Sequence, residues 1–228
     1  MATNEARAAQ PLIFPIGHYI GAFYPEVGSQ ERYHNVMVGA HIVRLGDEDL
    51  AVWLLARGVP EEIEKGSWSR DALQTAATTA GVADSAAVIK RLSGQGLLAE
   101  TVPGSQHSID FAEAYRLVPL MLGLGNTADE PWLHGIGFFD QPVIKVTNEV
   151  YSLWEWAHVD NNLWAACHAH ADIAKRAGAD DPDETVPERV LTGFLGAVHA
   201  LLASSAAYLD LAWLDDSAEQ TERTEQPA

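Results

Sequence analysis

Basic residues are scarce in this chain: 14 Lys and Arg stand against 32 Asp and Glu in 228 residues, a formal charge of −18. Polyanion binding draws its affinity from cations set against phosphates, so such a surplus of carboxylates repels DNA, RNA and anionic lipid. Cysteine is scarcer still, and a lone Cys167 excludes an internal disulfide and cysteine-rich zinc centres. No apolar stretch approaches the ~20 residues of a membrane-spanning helix. Met1 to Gln10 lacks the apolar core of a signal peptide. With 47% hydrophobic residues there is ample material for a packed core, and the expectation is a soluble, cytoplasmic protein.

Local catalytic signatures are missing too. There is no P-loop, no H-E-x-x-H and no Ser/His/Asp or Cys/His set in its usual context. Gly123-Leu-Gly-Asn-Thr-Ala128 matches a G-x-G-x-x-A string, but Asp129-Glu-Pro131 follows at once, adding negative charge and breaking a helix. A phosphate needs the opposite, a helix N-terminus opening at that point. No cofactor is expected.

What is present divides the chain by charge. Residues 1–110 carry 13 acids and 8 bases, and residues 111–228 carry 19 acids and 6 bases. The composition predicts a disordered N-terminus at 1–10, a domain over 11–110, a helical domain over 111–214 and a disordered acidic tail at 215–228. No internal repeat is apparent.

Gly17 to Tyr24 and Tyr33 to Leu45 are rich in aromatic and β-branched residues and flank a turn-like Pro25 to Gln30, a hairpin pattern. Asp47 to Gly58 reads as a short amphipathic helix. Ser67 or Ser69 is placed to cap a helix through Ala80, and Asp84 or Ser85 a second one ending at Gly94 or Gly96. A strand-like Leu97 to Val102 follows. Beyond it, Tyr115 to Leu124 is apolar and the glycine-rich stretch through Phe139 has no clear period. Three helical patterns come next: one capped by Thr147, one by Asp160 or Asn161, and one opening at Pro187 and running through Leu209. The fold class expected is α+β, mainly α, with a small sheet in the N-terminal module and a C-terminal helical bundle.

Over residues 33–102 the chain resembles the winged helix-turn-helix superfamily, on Ala77-x-x-x-Gly81, Val82, Val88, Leu92 and Gly96-Leu97-Leu98. One branch that the resemblance implies is the PqqD-like element, which binds a leader peptide along an edge strand during peptide natural-product maturation. The other is the transcriptional regulators, for which Ser85, Lys90, Arg91 and Gln95 would face DNA from a dimer. Residues 61–102 hold 6 acids and 4 bases, which leaves little phosphate attraction. Strand addition needs only free backbone groups and apolar pockets. The leading expectation is therefore a non-catalytic adaptor that binds a peptide or protein partner through Tyr33, Val36, Val38, His41 and Val43, with a homodimer as a further expectation.

Two other groups enter as expectations. Trp156 points away from the Trp154 face, and Trp213 precedes the tail, so both are candidate partner contacts. His158, His168 and Asp172 form the third reading, a metal or His-dependent enzyme, because His168 and Asp172 are one helical turn apart. Against it stand a solvated His–Asp pair and a packed Cys167.

Overall fold

The computed structural model describes residues 10–63 and 67–213; residues 1–9 and the acidic tail at 215–228 lie outside the described residues. The first part runs β1 (Leu12–Pro15), β2 (His18–Phe23), β3 (Tyr33–Val38), β4 (His41–Leu45), α1 (Asp47–Leu55), α2 (Pro60–Ile63), α3 (Arg70–Thr79), α4 (Ser85–Gly94) and β5 (Leu98–Thr101). After α5 (Gln106–Ala114) come β6 (Tyr115–Pro119), β7 (Leu122–Gly125), β8 (Leu133–Phe138), β9 (Gln141–Thr147), α6 (Asn148–Trp156), α7 (Leu163–Arg176), α8 (Pro182–Thr185), α9 (Pro187–Ala203) and β10 (Ala207–Leu211).

The α+β expectation stands, but its finer terms do not. Among the described residues 43% are helical and 26% lie in strands, spread over four small antiparallel sheets, so the chain is not mainly α and the winged-helix layout is not confirmed. The C-terminal half is no helical bundle, since it holds two of the sheets, β10-β6 and β7-β8-β9. The glycine-rich stretch without a clear period is where β7 and β8 form. The last helix stops at Ala203, and Leu209 belongs to β10. Tyr33 to Leu45 is two strands, because Gly39 at φ +56° turns the chain within it. The helix after Trp156 is capped by Asn162, whose side chain accepts from the Ala165 amide, rather than by Asp160 or Asn161.

The two halves are the same unit built twice. Each begins with a strand that pairs antiparallel with the unit's own last strand, β1 with β5 and β6 with β10. Between them lie a three-stranded meander and three main helices, with a single-turn helix inserted at a different place in each. The register agrees residue by residue. Pro15 and Pro119 stand opposite the first residue of the closing strand. The next amides bond alike, Ile16 to the Leu97 carbonyl and Leu120 to the Ala206 carbonyl, both at 2.9 Å. A bulge then falls before Gly21 in one unit and before Gly125 in the other, beside fully buried Val36 and Ile136.

Two-residue turns close both meanders at Gly39 and Phe139, and α4 and α9 both end on a left-handed residue, Gly96 or Ser205, each tied back by a bond from the following amide to Leu92 or Leu201. Phe139 and Ser205 are, among the described residues, the two non-glycines with positive φ, and both stand where the first unit has glycine. Trp53 and Trp154, each the seventh residue of its helix, bond to the carbonyls of Ile16 (3.1 Å) and Ala206 (2.9 Å).

The units join first strand to last. Ile16, the residue after β1, bridges Leu209 of β10 in parallel, and the Gly17 amide donates to the Leu209 carbonyl at 2.7 Å. The segment of β1 and Ile16 is buried on both faces: Ile13 enters the core of the first unit, whereas Leu12, Phe14 and Ile16 enter that of the second. His199 of α9 stacks on Phe14 and donates to the Ile13 carbonyl at 2.8 Å.

Candidate functional site

A broad concavity lies in the first unit, a groove of about 760 Å³ between the end of α1, α2 and one face of α3. Gly58 makes it possible. At φ +100° it ends α1 and lets α2 fold back so closely that a Cβ there would sit 2.4 Å from Ile63. Leu55 and Val59 form one wall. The other is the α3 face of Ala72, Thr75, Ala76, Thr79 and Ala80. Thr75 and Thr79 donate their hydroxyls to the carbonyls one turn back, at 2.8 and 2.9 Å. Their hydrogen-bonding protons are thus already engaged along α3.

Trp68 lines the groove near the N-terminus of α3. Its carbonyl accepts from the Ile13 amide at 3.0 Å, which ties it to β1, and Ser69 then caps the helix through the Ala72 amide. The indole is only 2% exposed, yet its N–H has no hydrogen-bond partner. A buried donor left without an acceptor costs about 1–3 kcal/mol, which the packing around Trp68 must offset. Asp71 and Glu62 place carboxylates on the rim. In the second unit, counting from the caps Ser69 and Asn162, the residues matching Asp71 and Thr75 are Trp164 and His168, whose rings meet edge to face.

A smaller concavity of about 340 Å³ in the second unit has Leu153, Val190 and Phe194 among its walls, with His170 and the acids Glu149, Asp181, Asp183 and Glu184. Burial lowers the His170 pKa, opposed by the charges of Glu149 and Glu184. Asp181 caps α8 and Asp183 pairs with Arg189, so these acids have structural work.

The residues chosen from sequence scatter. Tyr33, Val36 and Val38 lie on β3, the central strand of its sheet, with Val36 fully buried; none offers an open edge, because β3 is paired on both sides. His41 and Val43 are on β4, which is an edge strand. Trp156 and Trp213 are exposed, 61% and 51%, and the Arg116 guanidinium covers one face of Trp213 at 4.2 Å. Of the four residues placed against DNA, Ser85 is buried and bonded to Thr78, whereas Lys90, Gln95 and Arg91 are exposed, Arg91 being paired with Asp49.

His158, His168 and Asp172 do not assemble: His168 faces Trp164, Asp172 faces Lys175, and no group of three His, Cys, Asp or Glu among the described residues is arranged to hold a metal. Cys167 is fully buried, and burial pushes its pKa up to about 12. The groove residues escaped notice because Ala, Thr and one Trp carry no chemical signature. Among the described residues no helix is long and apolar enough to cross a membrane. Comparison with protein-family models, with curated proteins and with solved structures gave no match.

Proposed function

We propose that this chain is a non-catalytic accessory protein that captures a peptide segment of a partner in the groove between α1, α2 and α3. One observation carries the reading: an apolar groove of about 760 Å³ walled by Leu55, Val59, Ala72 and Ala76, with the Asp71 carboxylate on its rim. The segment that fits presents apolar side chains to Leu55, Val59 and Ala76, and a Lys or Arg to Asp71. Net charge supports the sign of that partner, since a chain at −18 attracts cationic segments and repels acidic ones.

Fluorescence-anisotropy titration of the whole chain tests this with three probes: a labelled Lys-rich amphipathic peptide, the same peptide with Glu for Lys, and double-stranded DNA. The Lys peptide is expected to bind preferentially. Thr75→Arg, at an exposed position on the groove wall, should weaken it about tenfold, roughly 1.4 kcal/mol, with an unchanged circular dichroism spectrum. Preference for DNA, absence of peptide binding, or indifference to Thr75→Arg would overturn the reading.

A further inference from the structure

The duplicated architecture exposes in one unit a surface that it covers in the other. In the first unit the β3–β4 turn is seated on β10: the Gly39 amide donates to Asp210 Oδ1 at 2.7 Å, and a Cβ on Gly39 would lie 3.2 Å from the Leu211 side chain. The same turn in the second unit is Phe138–Gln141, and the residue matching Gly39 is Phe139. Phe139 holds φ +53° and its side chain is 85% exposed. Leu122 stands opposite Gly137 next to it, Gly137 also faces Pro142, and Leu122, Phe138 and Val143 are all exposed.

A phenylalanine here is poor for the fold twice over. The left-handed conformation strains any residue with a Cβ, and an exposed ring recovers nothing by burial. Glycine, which the first unit uses, would remove both penalties. Backbone strain held at an exposed aromatic ring, on a hairpin that exposes further apolar side chains, is the pattern of a contact surface.

We propose that the Phe138–Phe139 turn is a docking surface for a second protein, which presents an apolar strand in the place that β10 takes against the first unit. Asp140 stands where the first unit has Ala40, so the docking strand carries a Lys or Arg instead of the carboxylate that Asp210 offers Gly39. A second copy of this chain does not supply it. The strand matching β10 is β5, where Thr101 replaces Asp210, is buried, and donates to the His107 carbonyl at the start of α5. An anionic bilayer is disfavoured by Asp140 and by the net charge.

The test uses the whole chain and a labelled synthetic strand peptide of alternating Val and Lys, with its Val–Glu counterpart as control. The Val–Lys peptide is expected to bind. Phe139→Gly should weaken it about tenfold while raising the melting temperature, a combination that mere misfolding does not produce. Asp140→Lys should reverse the preference between the two peptides, and Thr75→Arg should leave it unchanged, which separates this surface from the groove. Equal binding by Phe139→Gly, no binding of the Val–Lys peptide by the wild-type chain, self-association lost in Phe139→Gly, or binding to phosphatidylcholine vesicles that Phe139→Gly abolishes would each overturn the proposal.

Discussion

At the scale of single residues, aromatic and imidazole groups take structural roles that their neighbours in sequence do not announce. His199 sits in the apolar run of α9, fully enclosed, and burial lowers its pKa to about 4 against the upward pull of the Ile13 carbonyl. Between pH 6.5 and 4 the unfolded chain therefore binds a proton that the folded chain refuses, and stability falls as the pH falls through that window. The His199 contribution is about 3 kcal/mol by pH 4, levelling off below it. Urea unfolding midpoints of the wild type and His199→Leu, compared at pH 7 and pH 4, should show a shallower decline in the variant. His18 and His170, both lowered chiefly by burial, act in the same direction and leave a residual slope in each.

A second residue-scale exchange concerns Gly123. The first unit places Tyr19 on the strand and Leu50 on the helix, whereas the second places Gly123 on the strand and Tyr151 on the helix. His34 and His134, at matching positions, thus each keep a tyrosine ring within reach, at 5.9 and 4.9 Å. A Cβ on Gly123 would lie 2.1 Å from the Tyr151 hydroxyl. Gly123→Ala is expected to destabilise by roughly 2–3 kcal/mol. Adding Tyr151→Leu should recover part of that loss, with a coupling of about 1 kcal/mol or more in a double-mutant cycle of thermal unfolding. The glycine that looks like a phosphate loop in sequence is room for a phenol.

At the scale of elements, helices were more legible than strands. Ser69, Asp84 and Pro187 mark helix starts where the structure has them, because capping is a local interaction between a side chain and the next turn. Strands from Tyr115 to Thr147 were not recognised, since Gly123, Gly125, Gly135 and Gly137 break the alternation that identifies a strand. Those glycines answer to neighbours far along the chain. At Gly137 a Cβ would meet the Gln141 carbonyl oxygen at 2.1 Å, a clash set by the β8–β9 register. The groove was illegible for a related reason: Ala72, Ala76 and Trp68 acquire meaning only when α2 folds back beside them.

The duplication was invisible in sequence because its spacing drifts. Pro15 and Pro119 are 104 residues apart, His34 and His134 100, Trp53 and Trp154 101, and Leu92 and Leu201 109. Each loop of different length resets the offset, so no fixed period survives, and the few identical residues mark positions where backbone pairing or core volume admits little change.

At the scale of the whole molecule, the two units are not independent of each other. β1 belongs by sequence to the first unit, yet Leu12 and Phe14, with Ile16 just after it, lie in the core of the second. A chain truncated to residues 105–228 loses Phe14 and Ile16 from that core and leaves His199 without its carbonyl partner. It is expected to lack the dispersed amide proton spectrum of a folded protein. Adding a peptide that spans residues 10–20 should restore part of it. In the intact chain, thermal unfolding followed by tryptophan fluorescence and by far-ultraviolet circular dichroism should give coincident transitions, since Trp53 and Trp154 report on units that share one wall.

Synthesis on the ribosome gives that shared wall a further consequence. Ile13 is made 186 residues before its partner His199, a delay of roughly 10–40 s at ordinary elongation rates. For much of that interval Leu12, Phe14 and Ile16 wait without most of the core that covers them, even if the first unit has already closed around Ile13. The nascent chain thus carries β1 as an aggregation-prone segment until α9 and β10 arrive to cover it.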